Sequence, residues 1–200
     1  QDPDHHPEGD VWNHTMAVLD AAAGMQAAAK EPRNLLLAAL CHDFGKPETT
    51  SSDEQGHIRA LRHETAGVPL AEAFIKRLTS ETEVRRYVAN MVALHMRPNV
   101  IAQGHPKLKT TNRLFDESLC PEDLLLLCKA DRMGQRKEAG YGPVEALLRS
   151  RLEAYRETMA KPGVTGKDLV ELGFRPGPAF SEALGFAHKL QLAGVEKEEA

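Results

Sequence analysis

Apolar residues recur at intervals of three and four along most of this chain, which is the spacing of one face of an α-helix. Asp10 is a suitable N-cap for a helix over residues 11–30, and Pro32 suits the first turn of a second helix that runs to about Phe44. Gly45 and Pro47 would end that helix. Its seven-residue apolar run, residues 35–41, leaves no solvent face, so it is predicted to be the central helix.

The remaining pattern is also helical. His63 opens a helix that contains Pro69, and the string Ser80-Glu81-Thr82-Glu83 predicts a capping box for a helix that ends near Met96. Loops are predicted for residues 48–60 and 97–107. Further helices are predicted for residues 108–118, 121–138, 143–160, 167–172 and the stretch that ends near 192. With no strand pattern and no internal repeat, the chain is predicted to be all-α, a helical bundle with a short C-terminal helical appendage.

The composition narrows the class of protein. Hydrophobic residues make up 42% and charged residues 27%, which is ordinary for a soluble globular protein, and aromatics are sparse at 5%. Three cysteines without a C-x-x-C pair predict reduced core residues rather than a disulfide framework. No signal peptide or long apolar span is found, so the expected location is cytoplasmic, with no membrane partner. The chain starts at Gln1 rather than Met, as a piece of something longer would.

Charge gives no general basic field, because the formal net charge is −4. Nucleic-acid binding would therefore need a local patch. A candidate patch consists of Arg59, Arg62, Lys76, Arg77, Arg85 and Arg86. Acidic neighbours such as Glu72, Glu81 and Glu83 favour an ordinary solvated surface at these positions instead.

Metal-binding side chains lie on the apolar faces of several predicted helices. His14 shares a stripe with Val18, and His42 follows the central apolar run directly, with Asp43 next to it. His95 continues the stripe of the helix before it, and Asp131 continues the stripe of Leu124 and Leu127. A lone inward histidine is usually a hydrogen-bonded core residue, but an inward unpaired carboxylate costs several kcal/mol. A shared bound metal explains all of these residues most simply.

This donor set contains nitrogen and oxygen but no thiolate. It suits Mn, Fe, Co, Ni or Zn, with Mg also considered, at one or two divalent ions per chain. One ion could be held by His14, His42, Asp43 and Asp131. Asp43 could then bridge to a second ion held by His63 and His95, in the arrangement that clamps a phosphate in binuclear hydrolases.

Two cations lie next to these residues. Lys46 follows the His42-Asp43 pair by three positions and is either a solvated lysine at a helix end or a phosphate clamp. Arg97 follows His95 by two positions and has the same two interpretations. His6 and Glu8 precede the first helix and are candidates only for supporting a metal ligand.

The local strings resemble a known family. The pattern His14, His42-Asp43 and Asp131 is similar to the HD superfamily of metal-dependent phosphohydrolases. The strings HPEGDVWNHT, ALCHDFGKP, GHIRALRHETAGVPLAE and ALHMRP resemble the HD domain attached to bacterial CCA-adding tRNA nucleotidyltransferases, and TGKDLVELGFRPGPAFSEAL resembles their C-terminal segment. The resemblance implies an HD phosphohydrolase domain over residues 1–160 and a helical segment over residues 161–200. No string resembles the nucleotidyltransferase head, so nucleotide addition is not assigned to this chain.

The leading functional hypothesis is hydrolysis of a phosphate ester by a metal-activated hydroxide, with catalytic roles for Asp43, Lys46 and Arg97. The resemblance implies substrates such as 2′,3′-cyclic phosphodiesters, 2′-phosphates of RNA ends or nucleoside monophosphates. Three alternatives stay open: a non-catalytic module that binds tRNA or another partner, a di-iron oxygenase-type centre, and a purely structural helical domain. The oligomeric state and the identity of the metal are not determined by the sequence.

Overall fold

Helices dominate the fold, which confirms the all-α prediction. The structure, a computed structural model, describes residues 9–135 and 140–199. The helices are α1 (Val11–Gly24), α2 (Pro32–Cys41), α3 (Lys46–Thr49), α4 (His63–Leu78), α5 (Thr82–Leu94), α6 (Arg97–Gln103), α7 (Leu108–Glu117), α8 (Pro121–Gly134), α9 (Tyr141–Ala160), α10 (Gly166–Glu171) and α11 (Pro178–Leu192). The strands β1 (Thr50–Ser52) and β2 (Ile58–Ala60) pair antiparallel, with Thr50 opposite Ala60.

Helix α2 is the centre of the bundle, as its uninterrupted apolar run predicts. It packs against α1, α5 and α8. Leu35, Ala38 and Ala39 are fully buried. Leu36, Leu37 and Leu40 are partly buried. Complete burial of a large apolar side chain such as Leu35 stabilises the bundle by roughly 1.5–3 kcal/mol. The last residue of α2 therefore enters the middle of the protein rather than its surface.

The helix starts agree with the sequence better than the ends do. Asp10 caps α1 by accepting a hydrogen bond from the backbone N–H of Asn13 at 2.8 Å, and Pro32 opens α2. However, α1 ends at Gly24 and not at residue 30, because glycine is a poor helix former and a short 3-10 turn over residues 26–28 follows it. Helix α2 ends at Cys41, three residues before the predicted end.

Several other predictions were wrong. The predicted capping box is absent: Glu81 is the N-cap of α5 and its side chain makes no capping bond. The loop predicted for residues 97–107 contains α6, which begins with a proline in its first turn. The loop predicted for residues 48–60 contains α3 and the hairpin, whose three-residue strands are too short to show an alternating pattern. Helix α8 ends at Gly134, and residues 136–138 of its predicted span lie outside the described residues.

The C-terminal segment lies on α7 and α9. Asn112 of α7 donates a buried hydrogen bond to the carbonyl of Leu192 at 2.9 Å. Thr165 and Asp168 form a capping box at the start of α10. The division of the chain after residue 160 stays a prediction. Within the described ranges, every helix is too short or too polar to cross a membrane.

One buried carboxylate, which no sequence pattern distinguishes, links three helices. Asp123, in the first turn of α8, is fully buried and accepts hydrogen bonds from the backbone N–H groups of Lys30 and Glu31 at 2.8 and 2.9 Å. The hydroxyl of Tyr87 on α5 donates a third bond at 2.8 Å. Burial and this hydrogen bond raise the pKa of Tyr87, which keeps the phenol protonated as a donor. The carboxylate thereby fixes the entry to α2 against α5 and α8.

Replacing this carboxylate should destabilise the fold without touching the candidate site. Asp123→Ala leaves three donors without their acceptor, so we expect a loss of roughly 3–5 kcal/mol in the free energy of unfolding. Tyr87→Phe removes only one bond and should cost about 1 kcal/mol. Urea denaturation measures both, with the exposed Asp20→Ala as control within about 0.5 kcal/mol of the parent. An Asp123→Ala protein as stable as the control would contradict this account.

Candidate metal centre

The structure brings all six predicted metal-binding side chains together. His14 comes from α1, His42 and Asp43 from the end of α2, His63 from the first residue of α4, His95 from the end of α5 and Asp131 from α8. Each is at most 6% exposed. Five segments that are distant in sequence therefore direct their polar side chains to one point inside the bundle.

One half of the cluster surrounds His14 and His42. The Nε2 atom of His14 lies 3.0 Å from Asp131 Oδ1 and 3.4 Å from Asp43 Oδ2. The Nε2 atom of His42 lies 3.3 Å from Asp43 Oδ2 and 3.9 Å from Asp131 Oδ1. The two Nε2 atoms face each other at 3.3 Å.

The other half surrounds His63 and His95. Their Nε2 atoms also face each other at 3.3 Å, and they lie 3.3 and 3.9 Å from Asp43 Oδ1. Asp43 therefore directs one carboxylate oxygen to each half. Both groups, His14–His42–Asp43 and Asp43–His63–His95, have ligand atoms within 4.8 Å of one another.

Backbone carbonyls fix the orientation of three of the imidazoles. The Nδ1 atoms of His42, His63 and His95 lie 2.8 Å from the carbonyl oxygens of Ala39, Ala60 and Val92, in each case three residues earlier. A carbonyl can only accept, so each Nδ1 must carry the proton and donate it. In the neutral ring the inward Nε2 then presents its lone pair, which is the tautomer that metal-binding histidines adopt.

The pKa values of the cluster favour ionised carboxylates at Asp43 and Asp131 and a neutral ring at His95. Burial raises the pKa of Asp131, but the hydrogen bond with His14 and the nearby His42 outweigh burial and hold it at about 2. Burial is likewise outweighed at Asp43, mainly by His42 and then Lys46, so the pKa of this carboxyl is well below its usual range. Both acids are therefore ionised carboxylates, and Lys46 is the lysine at the cluster. Burial and His42 lower the pKa of His95 to about 4, so this ring is neutral at neutral pH.

These observations fit a bound divalent cation. The inward Nε2 lone pairs of His63 and His95 lie 3.3 Å apart and repel each other unless a proton or a metal ion lies between them. Asp43 and Asp131 are buried carboxylates, and a divalent cation would offset the cost of desolvating them. Nitrogen and oxygen donors without sulfur match Mn, Fe, Co, Ni or Zn.

The two candidate cations lie in different places. Lys46 is 7% exposed and its Nζ lies 2.7 Å from Asp43 Oδ2, so it belongs to the cluster and is not a solvated lysine. Arg97 is partly exposed and forms an ion pair with Glu117 of α7. His6 and Glu8 lie outside the described residues.

Two supporting residues were missed by the sequence analysis. Gln135 donates a hydrogen bond to Asp131 Oδ1 at 3.1 Å, and its position one turn after Asp131 could have suggested it. Ala60 ends the hairpin and supplies the carbonyl that orients His63. No residue type signals that role, because any backbone carbonyl can accept this bond.

Two glycines allow the close packing that assembles the site. A Cβ atom on Gly45 would lie 2.1 Å from the His63 carbonyl oxygen and 2.6 Å from the nitrogen of Gly67, so only glycine lets the turn after Asp43 touch α4. A Cβ atom on Gly134 would lie 2.5 Å from Val18 Cγ2 and 3.1 Å from the Val18 nitrogen. Gly134 therefore sets the contact of α8 with α1, one turn beyond Asp131 and His14.

Comparison with known proteins gives consistent matches. A family model described as the HD domain matches residues 11–134. The multifunctional CCA protein of Halorhodospira halophila is 34% identical over 205 residues, covering 100% of this chain and 46% of the relative. The multifunctional CCA protein of Alkalilimnicola ehrlichii is 32% identical, covering 97% and 45%. The CC-adding tRNA nucleotidyltransferase of Thermus thermophilus is 32% identical, covering 95% and 43%. The chain thus spans less than half the length of these relatives.

Alanine at the two glycines should have separable effects. Gly45→Ala places a methyl group against backbone atoms that cannot rotate away, so we expect a loss of about 3 kcal/mol or more in the free energy of unfolding. Gly134→Ala first meets a valine methyl group and should cost about 1–3 kcal/mol. Trimming the partner in Gly134→Ala/Val18→Ala should recover part of that loss, whereas no side-chain truncation should rescue Gly45→Ala.

Chemical denaturation measures these differences. Gly185→Ala is the matched control, because its Cβ atom would meet nothing within 4 Å inside α11 and should be neutral or stabilising by up to about 1 kcal/mol. A Gly45→Ala protein with the stability of the Gly185→Ala control would show that the turn and α4 do not need this contact.

Proposed function

The chain belongs to the HD domain family, and on that premise we propose that it is a metal-dependent phosphohydrolase that acts on nucleotides or on the phosphates of RNA ends. The observation that carries the proposal is the buried cluster of four histidines and two aspartates, in which each oxygen of Asp43 faces its own histidine pair. This arrangement supports two metal sites that share Asp43.

The ligand assignment follows the two halves. His14, His42, Asp43 and Asp131 would hold one divalent cation, and Asp43, His63 and His95 would hold the other. When bound, such cations lower the pKa of water toward neutrality and stabilise the charge that develops on a transferring phosphoryl group. The chain's own carbonyls hold the imidazole rings in place, and Gln135 holds Asp131, so the donors need little rearrangement to bind.

Lys46 is proposed to act at the same place as the shared carboxylate. Its ammonium group contacts Asp43 Oδ2, which keeps a cation next to the donors that would bind metal. There it can position Asp43 and offset the charge of a phosphate. Arg97 begins α6, two residues after His95, and is proposed to bind the phosphate as a second cation. To do so, its guanidinium group would leave Glu117 and pair with the substrate phosphate instead.

The proposed substrate class rests on the relatives. One is named a multifunctional CCA protein and another a CC-adding tRNA nucleotidyltransferase, so the proposed substrates are RNA-end phosphates, cyclic 2′,3′-phosphodiesters and nucleoside monophosphates. Nucleotide addition is not part of the proposal.

Elemental analysis of single variants tests the two-site assignment. The parent should hold about two metal ions per chain after reconstitution with Mn, Co or Ni. His14→Ala and His63→Ala should each hold about one, because each variant disrupts only one half. Asp43→Ala should lose both. His57→Ala, whose ring is 59% exposed and pairs with Asp53, is the control and should keep the parental content.

Phosphate release from the three substrate classes tests the chemistry with the same proteins. Asp43→Ala should lower the rate by at least about a hundredfold, since both sites need this residue. A parent that binds no metal and releases no phosphate would leave a non-catalytic binding module. Tightly bound iron with an oxygen-dependent absorbance change, in place of hydrolysis, would favour the di-iron alternative.

A further inference from the structure

The charges of this chain are segregated along its sequence. Residues 84–115 contain no aspartate or glutamate, although the whole chain has 29 of them and a net charge of −4. The same segment carries six basic residues, Arg85, Arg86, Arg97, Lys107, Lys109 and Arg113. It includes most of α5, all of α6 and most of α7. Arg86, Arg97 and Arg113 pair with Glu83 or Glu117 at its two ends, so Lys107 and Lys109 are among the basic residues left without such a pair in the described ranges.

An open cleft of about 510 Å³ lies at the junction of α6 and α7. Its lining includes Val100, Ile101, His105, Pro106, Lys107 and Thr110. The side chain of Val100 is 61% exposed. A partly apolar cleft that contains Lys107, with Lys109 two residues further along the chain, suits a ligand with both a flat apolar part and a negative charge.

The loop between the two helices has a defined and unusual conformation. His105 adopts φ +50°, in the left-handed region that few residues other than glycine occupy. Arg151 of α9 donates a hydrogen bond to the carbonyl of Pro106 at 3.1 Å, which attaches the loop to α9. Strained loops that the surrounding structure supports are often parts of binding sites.

Lys107, the N-cap of α7, and Lys109, in its first turn, do not stabilise that helix. Lys107 and Lys109 are exposed and form no ion pair with any residue in the described ranges. They lie at the N-terminus of α7, whose first turn contains no acidic residue. Positive charge at a helix N-terminus opposes the helix dipole, so these two lysines reduce helix stability. An external anion would explain why they are there.

We propose that this basic cleft binds a single strand of RNA whose end phosphate lies at the metal centre. One negative charge per nucleotide would match the basic side chains, and a base would rest on the apolar floor. Helix α6 connects the two places: it begins two residues after His95 and spans roughly 10 Å. The cleft is therefore a few nucleotides from the proposed reaction centre. This step rests on the proposed function only for where the RNA end lies.

Binding of a labelled RNA of about eight nucleotides, measured by fluorescence anisotropy over a range of salt, tests the proposal. Lys107→Gln/Lys109→Gln should weaken binding roughly tenfold and reduce the slope of log affinity against log salt by about 1.4, or 0.7 for each lost contact. Its melting temperature should equal or exceed that of the parent, which excludes misfolding as the cause. Val100→Ser, which keeps every charge, should weaken binding without changing the salt slope.

The matched control is Lys76→Gln/Arg77→Gln on α4. These two residues also form no ion pair within the described part of the chain, but they lie outside the basic segment. This variant should bind RNA as the parent does. Equal losses of RNA affinity in both double variants would show that binding depends only on net charge, which would overturn the proposal. RNA binding at the parental affinity by Lys107→Gln/Lys109→Gln would overturn it as well. An acidic peptide that competes as well as RNA at equal charge would also overturn it.

Turnover separates this proposal from the proposed function. Lys107→Gln/Lys109→Gln should hydrolyse a cyclic mononucleotide at the parental rate, because one nucleotide does not reach the cleft. The KM for an RNA longer than a few nucleotides should rise roughly tenfold. If the parent hydrolyses nothing but the lysine variant still loses RNA binding, the phosphohydrolase proposal fails and the RNA site stands. If the parent hydrolyses both substrates and the variant is unaffected, the RNA site fails alone.

Discussion

The rest of the structure depends on one buried carboxylate. Asp43 is 2% exposed, it is ionised, and it contacts three of the four cluster histidines within 3.4 Å. Desolvating such a group costs several kcal/mol unless cations and donors surround it. The bundle meets this requirement by ending its central helix at Cys41, so that the next two side chains enter the middle of the protein. The fold can thus be understood as a frame around this group.

Histidines of the site also satisfy backbone carbonyls at the ends of two helices, which fixes the orientation of their rings. The last carbonyls of any helix lack partners within it. His42 and His95 each follow the last residue of a helix, and the Nδ1–H of each donates to one of these carbonyls. The same bond gives the carbonyl oxygen a partner and directs Nε2 to the interior. Glycine at position 45 allows the chain to pass close enough to α4 for His63 to join them. Asp123 holds the other end of α2 in the same way, by accepting from backbone donors.

Helical periodicity predicted the features that are determined within one helix, such as which of its side chains face the core. It placed His14, His95 and Asp131 on inward faces, and it showed that His42 and Asp43 follow a run with no exposed side. It could not predict α6, because a seven-residue helix after a proline shows too little of a repeat. The hairpin was missed for a similar reason. Asp123 was missed because its partners are 36 to 93 residues away and two of them are backbone groups, which no sequence pattern displays.

The basic segment, residues 84–115, is a surface feature that a local sequence pattern also fails to show. The candidate patch within residues 59–86 is dense in Lys and Arg but has acidic residues interspersed, and it does not include Lys107 and Lys109. The signal there is the absence of carboxylates across residues 84–115, which is noticeable only against the acidity of the whole chain. Counting both signs of charge along the sequence would have found it, because the field at a surface depends on their sum.

The two charged regions have a thermodynamic consequence for the proposed chemistry. Among the described residues, the cluster presents the ionised carboxylates of Asp43 and Asp131, which repel a phosphate that approaches without metal. A bound divalent cation reverses that sign, and the phosphate in turn supplies oxygen ligands to the cation. Metal and substrate should therefore strengthen each other's binding by the same factor, as linkage requires. Lys107 and Lys109 are not subject to this coupling, because they lie on the exposed surface beyond α6. Under this scheme RNA can be held before metal binds, and only its terminal phosphate awaits the metal.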